Sequence, residues 1–107
     1  MSIREIGADE LETVLSAGAR LIDVREVDEY QAGHVAGALL VPLGTVPDRV
    51  DAFEGDGPTY IICKSGARSM RAAEFLADRG LDVVNIAGGT MGWIRSGRSV
   101  VEGDQPS

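Results

Sequence analysis

Short apolar runs alternate with stretches of helical periodicity along the whole chain. The densest run, Thr59-Tyr60-Ile61-Ile62-Cys63, is rich in β-branched and aromatic residues and follows the breaker segment Glu54-Gly55-Asp56-Gly57-Pro58, so it predicts a buried strand. Arg20 to Val24, Ala38 to Val41 (stopped by Pro42) and Leu81 to Ile86 read in the same way, and Ile3 to Ile6 predicts a short edge strand. Met70, Ala73, Leu76 and Ala77 fall at helical spacing within a helix predicted over 67–79, with Gly80 as its stop. Asp9, followed three residues later by Glu12, predicts a capped helix start whose stripe is Leu11, Val14 and Leu15 and whose end is Gly18. Further helices are predicted over Val27 to Gln31 (closed by Gly33), loosely over Thr45 to Phe53, and from Gly88-Gly89 through Trp93. Residues 103–107 read as a flexible tail, leaving one domain over residues 1–102. Strands alternating with helices specify an α/β domain with a mostly parallel sheet.

Composition narrows the function classes. A chain of 107 residues with 44% apolar content builds one core without metals or disulfides. No apolar stretch approaches the ~20 residues of a membrane span, and Met1-Ser2-Ile3-Arg4-Glu5 lacks the apolar core of a secretory signal, so a cytoplasmic location is expected. One cysteine and one histidine exclude an internal disulfide and a Cys/His zinc cluster. A net charge of -7 argues against a nucleic-acid partner. Around the cysteine the sign reverses, with Lys64, Arg68 and Arg71 before the first acid, Glu74. A basic spot on an acidic protein points to a small anionic ligand.

That spot is also where the chemistry gathers. Cys63-Lys64-Ser65-Gly66-Ala67-Arg68-Ser69 joins the clearest strand to the clearest helix, and so crosses the carboxyl end of a parallel sheet, where open α/β folds place ligands. A loop entering a helix aims unpaired N–H groups and the helix dipole at one point, and with Lys64 and Arg68 it favours a thiolate or a bound anion. Such surroundings lower a cysteine below its free pKa of about 8.5. Gly66 lets the backbone curl with its amides inward. A lone cysteine ending an apolar run is ordinarily an inert small hydrophobe, but here a polar, glycine-containing loop follows it at once.

A strand, then C-x-x-G-x-R, then a helix resembles the active-site loop of the rhodanese domain. Leu21-Ile22-Asp23-Val24-Arg25-Glu26 with Glu29-Tyr30 and Gly33-His34-Val35-Ala36-Gly37-Ala38 is similar to that family's N-terminal signature, and Gly88-Gly89 with Gly92-Trp93 to its C-terminal one. The three ordered blocks cover nearly the whole chain. The resemblance implies a rhodanese-like fold, a five-stranded mostly parallel sheet flanked by helices on both faces. It also implies a sulfurtransferase that moves sulfane sulfur from thiosulfate or a persulfide through a Cys63 persulfide to cyanide, a thiol or a protein cysteine. No organic cofactor or metal is required, and a monomer or weak dimer is the expected state.

By the same resemblance Cys63 is the nucleophile, Lys64, Ser65, Gly66, Ala67 and Arg68 form the anion-binding loop, and Asp23 and Arg25 brace it from a neighbouring strand end. Glu29 is placed to pair with Arg25. His34 is a structural hydrogen-bonding residue rather than a general base, and Trp93 a core or rim aromatic. Two other readings compete. Cysteine phosphatases and arsenate reductases have similar cradles, but with five residues between Cys and Arg, whereas Cys63 and Arg68 enclose only Lys64 to Ala67. A non-catalytic binding or regulatory module is the other, and the intact cysteine loop weighs against it.

Overall fold

The computed structural model describes residues 2–107. Its elements, in chain order, are β1 (Arg4–Ile6), α1 (Ala8–Ser16), β2 (Arg20–Asp23), α2 (Val27–Ala32), β3 (Leu39–Leu40), two 3-10 helices (Leu43–Asp48 and Val50–Phe53), β4 (Thr59–Ile62), α3 (Ala67–Ala77), β5 (Val83–Ile86) and α4 (Gly89–Arg95). The five strands form one sheet in the order β1-β5-β4-β2-β3, every neighbouring pair parallel.

Successive strand residues point to opposite faces, so the central strands β2, β4 and β5 each feed two apolar layers. Leu21, Tyr60, Ile62, Val84 and Ile86 pack with Leu11 of α1, Tyr30 of α2 and Trp93 of α4. Ile22, Ile61 and Val83, with Cys63, face the other way onto Ala72, Ala73 and Leu76 of α3 and onto Val46 and Phe53 of the 3-10 segments. Helices therefore cover both faces, as parallel strands with apolar residues on each side require.

The order of strands decides where the site lies. The chain runs from β2 outward to β3, then returns across β2 to β4 and β5, so the direction reverses between β2 and β4. Crevices at such switch points, outside the carboxyl ends of the strands, are where these sheets hold ligands. The register pairs Asp23 with Ile62, and the Val24 amide donates to the Ile62 carbonyl at 3.0 Å, so β2 and β4 end side by side immediately before Cys63.

Several local expectations change. The cap of α1 is Gly7, not Asp9; the Leu11 amide already bonds the Gly7 carbonyl at 2.9 Å, which places Asp9 and Glu10 in the first turn, where their charges oppose the helix dipole favourably. The loose helix over Thr45 to Phe53 is two 3-10 segments, because Pro47 lacks the donor that an α-helical turn needs there. Residues 103–107, expected to be a flexible tail, are tied to the domain. The Gly103 amide donates to the Gln31 carbonyl at 2.9 Å and the Gly37 amide to the Pro106 carbonyl at 2.8 Å. His34 completes that seam. It is buried, stacks on Tyr30 with ring centroids 3.6 Å apart, and places Nδ1 2.8 Å from the Tyr30 carbonyl oxygen and Nε2 2.7 Å from that of Gln105.

Candidate active site

The site grows from the β4–α3 connection. Cys63 follows the last residue of β4 and is 1% exposed. Thr90, through both its amide (2.8 Å) and its hydroxyl (3.1 Å), donates to the Cys63 carbonyl, and the Met91 amide donates to the Lys64 carbonyl at 3.0 Å. The start of α4 therefore holds two loop carbonyls outward. Because a trans peptide sets its N–H opposite its C=O, the amides of Lys64 and Ser65 are turned the other way, into the loop.

Two glycines make this packing possible. Gly66 has φ +111°, a conformation that a side chain disfavours, and its amide donates to Cys63 Sγ at 3.1 Å. Gly89 has φ +58°, and a Cβ there would lie 2.5 Å from the carbonyl oxygens of both Cys63 and Lys64. Only a residue without a side chain lets α4 approach the loop so closely.

Ser69, on the first turn of α3, is fully buried and donates to Cys63 Sγ at 3.2 Å. Its hydroxyl also lies within reach of the Gly66 carbonyl (3.3 Å) and of Asn85 Oδ1. Asn85, buried on β5, is fixed by its amide nitrogen, which donates to Glu5 on β1 (2.7 Å) and to the Gly66 carbonyl (3.2 Å). Burial pushes the Cys63 thiol up. The Ser69 hydroxyl and the amides of Ser69, Gly66 and Ser65 outweigh it, and the pKa ends below its ordinary value.

The predicted loop residues are brought together, but their roles separate. Lys64, Ser65 and Ala67 are exposed, and Gly66 and Arg68 half-buried. Arg68 does not offer its guanidinium to the loop's centre. Both of its Nη atoms bond Glu29, at 2.8 and 2.9 Å, and this contact holds the Glu29 carboxyl down to about 2. Glu29 thus pairs with Arg68 and not with Arg25, because Arg25 folds back on Asp23, with Nε and Nη2 contacts of 2.8 to 3.1 Å, and donates to the Gly33 carbonyl at 2.8 Å. Asp23 also caps the Arg25 amide at 3.0 Å, so this pair shapes the turn from β2 into α2. Trp93 is a core aromatic whose indole N–H donates to the Ser99 carbonyl at 2.9 Å. Among the described residues no group of three or more His, Cys, Asp or Glu side chains is placed to hold a metal ion.

Sequence reasoning passed over Ser69, Asn85 and Thr90. The signals were a hydroxyl on the buried stripe of α3, in line with Ala72, Ala73 and Leu76, and a single amide inside the apolar strand Val83-Val84-Asn85-Ile86. Polar groups in such positions are hydrogen-bonded to something, and here the chain of bonds leads to the sulfur.

Comparison with known proteins agrees with this geometry. The family model for the rhodanese-like domain matches residues 7–96. "Putative sulfurtransferase YtwF" of Bacillus subtilis (strain 168) is 35% identical over 95 residues, 87% of this chain and 92% of that protein. A protein named sulfurtransferase from Allochromatium vinosum is 35% identical over 82 residues, 76% of this chain and 77% of its own length. The crystal structure of a rhodanese-related protein from Thermoplasma volcanium superposes with a TM-score of 0.85 at 35% identity, covering 92% of this chain and 97% of that one. With its all-parallel five-stranded sheet, its cysteine loop at the switch point and this match over most of its length, the chain belongs to the rhodanese-like domain family.

Proposed function

We propose that this protein is a sulfurtransferase working through a persulfide on Cys63. The observation that carries the reading is the pair of donors on one sulfur, the Gly66 amide at 3.1 Å and the Ser69 hydroxyl at 3.2 Å, at the start of α3. Donors aimed at a point where negative charge resides favour both the thiolate that attacks and the persulfide anion that results. In the first step the Cys63 thiolate attacks the outer sulfur of thiosulfate or of a persulfide; a Cys63–sulfur bond forms, and the bond to sulfite or to the donor thiolate breaks. In the second, cyanide, a thiol or a protein cysteine takes that outer sulfur and Cys63 leaves as the thiolate.

The roles divide accordingly. Cys63 is the nucleophile. Lys64 supplies unpaired positive charge for an anionic donor, and the Ser65, Gly66 and Ala67 backbone forms the ring. Arg68, held by Glu29, and Arg25, held by Asp23, keep the loop and the β2 turn in place.

The test is catalytic formation of thiocyanate from thiosulfate and cyanide by the wild-type protein and by Cys63→Ser. Turnover that vanishes with the sulfur while the circular dichroism stays native supports the reading. Turnover retained by folded Cys63→Ser, or absent from wild type with every sulfane-sulfur donor tried, refutes it.

A further inference from the structure

Asn85 stands among Val83, Val84 and Ile86 on β5, fully buried, and shares with Val83 the sheet face that α3 covers. Its register partner on β1 is the exposed Glu5. A carboxamide carries two N–H donors and one carbonyl acceptor. Both donors of Asn85 go to groups with no hydrogen to give: Nδ2 donates to Glu5 Oε2 at 2.7 Å and to the Gly66 carbonyl at 3.2 Å. The amide is locked from two sides, and its Oδ1 faces the Ser69 hydroxyl.

Ser69 has one proton and three acceptors around it, Cys63 Sγ at 3.2 Å, the Gly66 carbonyl at 3.3 Å and Asn85 Oδ1. The Gly66 carbonyl already receives the Met70 amide at 3.1 Å and Asn85 Nδ2, which occupy its two lone pairs. The sulfur and Oδ1 are left as the principal claimants. A thiolate holds the hydroxyl by its charge. A sulfur that carries a proton or a second sulfur atom has no such charge, and the hydroxyl turns to Oδ1, a buried acceptor that needs a donor. Each return of Sγ to the thiolate draws the hydroxyl away from Asn85 again.

We infer that Asn85, locked by Glu5, is a positioning residue of the nucleophile: it competes with Cys63 for the Ser69 hydroxyl, and so restrains the thiolate and steadies the sulfur-loaded state. The competition needs no sulfur chemistry; its bearing on the loaded state rests on the sulfurtransferase reading above. In discharge by cyanide, the cyanide carbon bonds the outer sulfur of the persulfide anion. The S–S bond breaks with its electron pair on Cys63 Sγ, and the Ser69 hydroxyl turns from Oδ1 to that sulfur. Thiocyanate and the thiolate hold the two negative charges that entered, and no proton, oxidant or reductant is needed. Glu5 acts at the far end, where a charged acceptor on Nδ2 polarises the carboxamide and makes Oδ1 the stronger claimant.

The experiment measures the midpoint pH of iodoacetamide alkylation in sulfur-free wild type, Asn85→Leu and Glu5→Gln, and in each variant combined with Ser69→Ala. Removing the competing acceptor should lower the midpoint by about one unit in Asn85→Leu, opposite in sign to the effect of Ser69→Ala. Glu5→Gln keeps the shape of the acceptor at an exposed position and should lower the midpoint by about 0.3 unit. Both shifts should vanish in the Ser69→Ala background, because without the hydroxyl Asn85 has no path to the sulfur. Loss of a residue that merely packs the loop would instead slacken the donors on Cys63 and raise the midpoint. A midpoint that rises or stays put in folded Asn85→Leu overturns the inference, as does a Glu5→Gln shift that is absent in the wild-type background or persists with Ser69→Ala; the Glu5 cycle decides alone where Asn85→Leu does not fold. Sulfur-loaded protein gives a separate arm: discharge by cyanide should run several-fold faster in Asn85→Leu, the more acidic thiol being the better leaving group. The alkylation cycle intact in a protein that never loads sulfur keeps the positioning role and removes the sulfurtransferase; loading and discharge without the cycle does the reverse.

Discussion

Replacing Ser69 by alanine should raise the apparent pKa of Cys63 by about one unit. The sulfur accepts two short contacts, from the Gly66 amide and from the Ser69 hydroxyl, and the substitution removes the second. A hydrogen bond to a charged group is worth about 1.5–3 kcal/mol net, and one pKa unit is about 1.4 kcal/mol, which brackets the rise between about one and two units. The lower end applies, because the single Ser69 proton is shared with the Gly66 carbonyl and Asn85 Oδ1 and is only partly committed to the thiolate. Helix propensity favours the alanine, while Asn85 loses a donor at a cost of about 1–2 kcal/mol, so the fold should survive with a lower Tm. The assay is the pH dependence of alkylation by iodoacetamide in sulfur-free protein. The midpoint, rather than the rate at one pH, is the quantity to compare, since a more basic thiolate is also intrinsically more reactive. A midpoint that stays put or falls in folded Ser69→Ala would refute the claim that this hydroxyl stabilises the thiolate.

Three further outcomes follow from the same geometry. Lys64→Gln should slow loading by the dianion thiosulfate several-fold more than loading by a weakly charged alkyl persulfide, whereas Arg68→Ala should slow both alike and lower Tm, because its guanidinium is spent on Glu29; donor-specific losses at Arg68 would contradict this. Glu29→Gln should cost about 1 kcal/mol in urea unfolding near neutral pH. The folded carboxyl is held near 2 against an ordinary 4.5, so that difference should be complete above about pH 4.5 and shrink as pH falls toward 2, and a gap that grows in acid would be the wrong sign. Gly89→Ala should destabilise by about 3 kcal/mol and abolish sulfur loading, since its Cβ would collide with two loop carbonyls from a left-handed backbone; near-wild-type stability would show that α4 does not pin the loop.

The fold was legible because the central strands carry apolar residues for both faces and are bounded by Gly, Pro or charge, so that Arg20 to Val24 and Thr59 to Cys63 fall within a residue of β2 and β4. Cys63 was legible as the end of an apolar run meeting a polar loop. What escaped depends on contacts between residues distant in the chain. Arg68 and Glu29 are 39 positions apart and read separately as loop cation and surface acid; only the packing of α2 against the loop joins them and removes Arg68 from the anion's reach. Asn85 and Glu5, 80 positions apart, meet because β1 and β5 are neighbours in the sheet, an adjacency that periodicity does not encode. The tail over 103–107 looked loose because its composition is polar, whereas its anchors are backbone groups of Gln31 and Gly37 and the ring of His34, which composition does not reveal.

The central claim is that Cys63 carries sulfane sulfur, and the most direct measurement is the intact mass of the protein after incubation with thiosulfate or a small persulfide, followed by peptide mapping. The account predicts a gain of one sulfur atom, located on the peptide containing Cys63, reversed by cyanide and absent from Cys63→Ser. A wild-type protein that gains no sulfur from any of these donors, or gains it on a peptide without Cys63, would contradict it.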